Sequence, residues 1–211
     1  GDGIEYYYTF FPGLYSRFAQ EFGLYMTAPL MKQKFFKFWD EGIKAKIPFR
    51  VDWVMGSTLM VRRDIYDKLG GFNEAFFLYE EETEWQYRMS KAGWEAWIYP
   101  KSKVLHNHHS SSGKLGQLFV HYHEFRSRII FSNLHDSFFK RLLRTVSVSS
   151  ALMFRICVNF LKFIFSRKTH YMNKIKVFGK LFSFNWSSKS TILNNRFTMS
   201  EYQSLISNKQ S

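Results

Sequence analysis

A chain of 211 residues that is 45% hydrophobic carries enough apolar material for a packed core of ordinary size, which excludes global disorder. The single cysteine, Cys157, excludes an intrachain disulfide and agrees with a reducing compartment. The formal charge of +13 is concentrated at one end: residues 137–211 hold thirteen Lys/Arg against one acid, Glu201, which sets a basic, phenylalanine-rich region beside a near-neutral domain at 1–136.

In chain order, Tyr6–Phe11 is predicted as a strand ended by the turn pair Pro12-Gly13, and residues 14–38 as one or two short helices. Asp40–Pro48 reads as a loop. Val51–Arg63 alternates as a strand, with Val51, Trp53, Met55, Leu59 and Val61 on one side. Asp64 is placed to cap a short helix, Ile65–Leu69, which Gly70 ends through its tolerance of positive φ.

The next helix opens in the acidic run Glu80–Glu84 and closes at Lys91-Ala92-Gly93, an order of charges that suits the helix dipole. Glu82, Trp85, Met89 and Ala92 share a face, so Glu82 is the acid expected to point with the buried residues, and Glu84 can pair with Arg88 on the flank. Trp94–Tyr99 and Lys103–Leu105 are predicted strands, the second delivering His106 to the loop 107–113. Lys114–Phe131 is a strong helix, with Phe119, Tyr122, Phe125 and Ile129 at helical spacing and His121, Glu124 and Arg128 on the other side.

Beyond Asp136 come basic amphipathic pieces at 138–144, Val146–Phe165 and Met172–Phe184. The middle piece is long enough to span a bilayer, but Arg155 and Lys162 lie inside it, each costing roughly 2.5–3.5 kcal/mol at the bilayer centre. A helix lying in the interface, its lysines toward anionic headgroups, is the expectation. From Asn185 on, the chain is polar and is expected to be loosely ordered apart from a short helix after Ser200. No nucleic-acid reader motif accompanies the basic tail, and its Phe-Leu-Ile interleaving favours lipid, so no nucleic-acid partner is expected. His106, His108, His109, His121 and His123 invite a zinc reading, but no cysteine is near and His121 and His123, two apart, fall on different helix faces.

The ordered set Val51-Asp-Trp53, Gly56-Ser57, Arg62-Arg63, Gly70-Gly-Phe-Asn-Glu74, Phe76-Phe-Leu-Tyr79, Glu81-Glu-Thr-Glu84, Arg88, Lys91-Ala-Gly93 and Val104-Leu-His106 resembles the second half of family 2 (GT-A fold) glycosyltransferases. The resemblance is to the rhamnosyltransferase-like branch that builds bacterial surface polysaccharides, and it covers roughly residues 50–131. It implies an α/β fold: the C-terminal part of a GT-A (nucleotide-diphospho-sugar transferase) fold at 1–136, followed by an amphipathic helical region at 137–211. It implies inverting transfer of a sugar, rhamnose being the commonest donor of that branch, from a nucleotide-sugar donor to a lipid-linked saccharide acceptor in O-antigen or capsule synthesis.

The residue roles follow from the same resemblance. Glu82, paired with Glu81, stands where the family keeps its general base, often an Asp, and an acceptor hydroxyl needs such a carboxylate to take its proton. Trp85 stands at a wall of the acceptor site, Gly56 and Ser57 on the donor side, and Trp53 and Arg88 among the substrate-binding residues. His106 stands where relatives help hold a divalent cation, Mg²⁺ or Mn²⁺, which eases departure of the nucleoside diphosphate. The family's Asp-x-Asp pair does not occur here, so the nucleotide-binding half is expected to precede Gly1 in a longer protein. The expected location is peripheral, on an anionic membrane surface at the cytoplasmic face of the bacterial inner membrane. The alternative is a truncated, non-catalytic membrane-associated remnant of such an enzyme.

Overall fold

The computed structural model describes residues 10–22, 24, 39–102, 104 and 116–206, which are predominantly helical. The chain divides into two compact units, one of residues 1–73 with 81–108 and the other of 74–80 with 109–211. The expected boundary at residue 136 therefore falls inside the second unit.

In the first unit, α1 (Leu14–Glu21) and α2 (39–45) precede strand β1 (Phe49–Val51) and a 3₁₀ turn (Gly56–Thr58). Helices α3 (Arg63–Leu69) and α4 (Glu81–Lys91) follow, then strand β2 (Ala96–Ile98). β1 and β2 pair antiparallel with Arg50 opposite Trp97, and an Arg50–Glu95 ion pair of 2.8 Å ties their ends. Among the described residues this two-stranded ribbon is the whole sheet, less strand than an α/β expectation implies.

Three sequence expectations change here. The loop placed at 40–48 is helical at 39–45, where buried Trp39 meets Phe49 edge-on at 5.6 Å. The strand placed at Val51–Arg63 stops at Val51. Beyond it, Asp52 accepts a bond from the Phe11 N–H at 2.7 Å, and the Trp53 indole donates to the Phe10 carbonyl at 3.2 Å. Alternation in that stretch reflects packing on neighbours that are not strands. Asp64 does not cap α3 but takes two bonds from Arg62, at 2.8 and 3.0 Å. Gly70 does end that helix, at φ +71°, ψ −178°, a conformation essentially reserved for glycine. The predicted strand at 6–11 lies almost wholly outside the described residues, as do Lys103 and Leu105 of the one at 103–105.

The second unit comprises the segment 74–80 and helices α5 (Gln117–His135), α6 (Phe138–Ser166), α7 (Thr169–Asn185), α8 (Lys189–Asn194) and α9 (Met199–Ile206). The two basic pieces at 138–144 and 146–165 form one continuous helix. The end of α7 reaches the first half of α6: Asn185 donates to the Thr145 carbonyl at 2.9 Å and to Ser149 Oγ at 3.0 Å, and the Trp186 indole donates to Ser149 Oγ at 2.9 Å. With Arg167 in the left-handed region between them, α6 and α7 run antiparallel. The tail expected to be loose is packed, with Ile192 and Tyr202 buried. Buried Arg126 of α5 holds it by donating to the carbonyl and side-chain oxygen of Asn195, and anchors segment 74–80 through the Ala75 carbonyl at 2.9 Å.

At the centre of this unit His123 is fully buried, with the rings of Phe197, Phe119, Phe77 and Tyr122 at 4.4–5.2 Å from its own. Burial, aided by Arg126, pushes its pKa down to about 3. The folded value lies below the unfolded one, so the unfolded chain binds the extra proton as pH falls below about 6.5. Stability present at neutral pH is therefore lost on acidification, at up to about 1.4 kcal/mol per pH unit from this group. Urea midpoints of the parent and of His123→Phe, compared between neutral and mildly acidic pH, should diverge. The parent should lose stability faster, and parallel losses would remove His123 as the cause.

Candidate functional site

The acidic start of α4 is fixed from three directions. Gln86 faces the irregular segment after β1, where its side-chain oxygen accepts from the Val54 N–H and its amide donates to the Val54 carbonyl, both at 2.7 Å. A side chain thus gives Val54 the pair of bonds that a neighbouring strand would supply. Arg88 donates through Nε to the Glu84 carboxylate at 3.0 and 3.1 Å, and through its two terminal nitrogens to the carbonyls of Leu69 and Gly71. Trp85 donates its indole N–H to the Gly70 carbonyl at 2.6 Å. Helix α4 and the Gly70-Gly71 turn are consequently one assembly. Just ahead of α4, Tyr79 and Glu80 both adopt left-handed φ, 66° and 69°, a conformation that costs non-glycine residues about 1–2 kcal/mol each.

Of the acids, Glu84 is the buried one, 1% exposed, and not Glu82 as the sequence suggested. The reason is Arg88 one turn on, which neutralises Glu84 and lets it leave water. Glu81 and Glu82 are half-buried in the first turn, where the helix dipole favours negative charge.

Glu82 lies against Gly56: a side chain at residue 56 would start 3.6 Å from Glu82 Cβ and 3.8 Å from its Oε1. Glycine there leaves the space directly beside Glu82 without a side chain. Gly56 also lines a cleft of about 390 Å³ together with Leu59, Val61, Arg63, Tyr66, Phe72 and Trp85. Tyr66 and Phe72 stand edge-on to Trp85, with centroids 6.1 and 5.0 Å away, and behind them Ile65, Trp85 and Met89 form the core of the unit. A carboxylate thus sits at the glycine edge of an aromatic cleft that carries one cation, Arg63.

The sequence-selected residues divide accordingly. Glu82, Gly56 and Trp85 come together, and Ser57 is exposed on the same 3₁₀ turn. Trp53 faces residue 10, and Arg88 has its donors engaged by the turn, so its influence on the cleft runs through the position of Gly70-Gly71. His106 lies outside the described residues, as do His108 and His109. Sequence reading missed Gln86, Tyr66 and Phe72. The phenylalanine was signalled by its place directly after Gly70-Gly71, whereas nothing local marks Gln86. Among the described residues no group of three or more His, Cys, Asp or Glu could hold a metal ion. His121 instead pairs with Glu124 at 3.3 Å.

A carboxylate beside an aromatic-lined cleft is equipment for activating a hydroxyl on a ring-shaped substrate, and the proteins that this chain resembles are named as glycosyltransferases. It is 33% identical over 109 residues to the N-acetylglucosaminyl-diphospho-decaprenol L-rhamnosyltransferase of two Mycobacterium tuberculosis strains, covering 51% of this chain and 36% of the relative. A low-salt glycan biosynthesis hexosyltransferase of Haloferax volcanii is 24% identical over 131 residues, covering 62% of this chain and 41% of the relative. The chain thus spans well under half the length of these curated relatives. No family model and no solved structure matches it.

Proposed function

We propose that this chain supplies the acceptor side of a GT-A glycosyltransferase that moves a sugar from a nucleotide-sugar donor to a lipid-linked glycan, with inversion at the anomeric carbon. The observation that carries the reading is the placement of Glu82 against Gly56 at the rim of the aromatic cleft. An acceptor ring lying on the Trp85–Phe72 wall would present a hydroxyl toward the Glu82 carboxylate. Glu82 takes that proton as the oxygen bonds to the anomeric carbon, and the bond to the diphosphate breaks with its electron pair leaving on the phosphate oxygen. Arg63, the cation of the cleft, pairs through Nε with Asp67 at 2.9 Å, and its guanidinium is suited to a charged substituent such as an acceptor's diphosphate. Rhamnose as donor sugar and surface polysaccharide as destination are part of the proposal, supported by the motif resemblance and by the rhamnosyltransferase name of the relatives.

The divalent cation is proposed on the motif resemblance alone. The described residues do not assemble a ligand set, and no step of the transfer is derived through a metal. If His106 holds one, His106→Ala should raise the Mg²⁺ or Mn²⁺ concentration needed for half-maximal activity, with His108→Ala and His109→Ala having much smaller effects. An unchanged metal requirement in all three removes the ligand role. The transferase reading itself is tested by incubating the full-length protein with radiolabelled nucleotide sugars and polyprenyl-diphosphate-linked N-acetylglucosamine. Label should pass to the organic phase, and its absence with every donor would reject the proposal.

A further inference from the structure

We propose that the outward face of α6 is a membrane-docking surface that lies flat in the headgroup region of an anionic leaflet. The argument rests on α6, its packing partners and the charge of residues 137–211, and stands whether or not the transferase reading holds. Phe139, Val146, Met153, Phe154, Leu161 and Phe165 recur at helical spacing along one side of α6, and all are exposed, Phe154 at 63% and Phe165 at 86%. From Phe139 to Phe165 the stripe is roughly 40 Å long at about 1.5 Å per residue. Ser147, Ser150 and Cys157 are the small polar residues along it, and no charge falls within it. A charge-free, mostly apolar surface of that length on a water-facing helix marks a place where something binds.

The opposite side of α6 shows why the helix lies along a membrane rather than through it. Arg144 is buried against Asp136 at 3.0 Å, and Ser149 accepts the two bonds from the end of α7. Packed along it, α7 carries Lys174, Lys176 and Lys180. By length and composition α6 is able to cross a bilayer, yet crossing would carry this polar, lysine-bearing partner into hydrocarbon. Lying flat puts only the stripe into the acyl boundary.

Charge selects the occupant. Lys140 and Lys162 are exposed off the apolar stripe, Arg167 and Lys168 follow its end, and residues 137–211 contain one acid, which Lys180 engages at 2.9 Å. An apolar strip flanked by unopposed cations is complementary to anionic lipid, and far less so to a second copy carrying the same charge.

Cys157, exposed on the stripe and the chain's sole cysteine, is a native reporter. The full chain labelled there with an environment-sensitive fluorophore should brighten several-fold and shift blue with phosphatidylglycerol-containing vesicles. It should respond weakly to phosphatidylcholine alone and reverse partly in high salt. Spin labels near the headgroups should quench it more than labels deep in the acyl chains. The double variant Phe154→Glu, Leu161→Glu alters only exposed side chains and should lower vesicle affinity at least tenfold with an unchanged circular dichroism spectrum. Stronger quenching by the deep labels would mean a spanning helix and would overturn the proposal. So would a blue-shifted signal without vesicles from a species of dimeric mass, or vesicle binding insensitive to lipid charge.

Discussion

On the proposed transfer, Glu82→Gln in the full-length protein should lower the turnover by a hundredfold or more, about 2.7 kcal/mol of transition-state stabilisation, while donor affinity and thermal midpoint stay near the parent values. The amide keeps the shape and the contact with Gly56 but cannot accept the acceptor's proton. Glu80→Gln is the matched control: it neutralises an acid two positions away, ahead of the helix, and should leave the rate nearly unchanged. Equal losses in both variants would show that only the summed negative charge at the start of α4 matters, and the assignment of a base to Glu82 would fail.

Trp85→Ala should have the largest effect on stability, about 3–5 kcal/mol, which is much of the stability of an ordinary domain. The indole is 7% exposed, joins Ile65 and Met89 in the core, and carries the bond to the Gly70 carbonyl. Truncation leaves a cavity and an unpaired carbonyl together. Trp85→Phe retains most of the apolar filling and loses the hydrogen bond, so its loss should be nearer 1–2 kcal/mol. Chemical denaturation of the three proteins measures the series. A small effect of Trp85→Ala would mean that the residue serves the cleft alone and not the fold.

Short-range chemistry explains which features were legible in the sequence. Gly70 as a helix stop, the dipole-matched ends of α4 and the 3.6-residue pattern of α5 are decided within a turn or two of chain, and the structure places all three as expected. Glu82 came to the rim of the cleft because helical spacing ties it to Trp85, although the deeper position belongs to Glu84. The failures lie where the deciding partner is remote. Val51–Arg63 alternates like a strand, yet Val54 is paired by a side chain 32 residues away. The polar tail after Asn185 looked loose because Arg126, 69 residues before Asn195, cannot be seen from the tail's own composition. Helix α6 read as two pieces because the interruption at Arg144 is a buried ion pair with Asp136 and not a break.

The Gln86–Val54 pairing also limits which mutations the chain can accept. The group at position 86 must donate and accept at once, on one flat surface, at the reach of a three-atom spacer. Glutamate offers two acceptors and would repel the Val54 carbonyl, lysine and leucine cannot accept, and asparagine falls one methylene short. The helix bearing Glu82 is therefore registered against the backbone two residues before Gly56 by a key that one amino acid of the twenty can cut. A library randomised at position 86 and selected for folded protein should return glutamine almost alone.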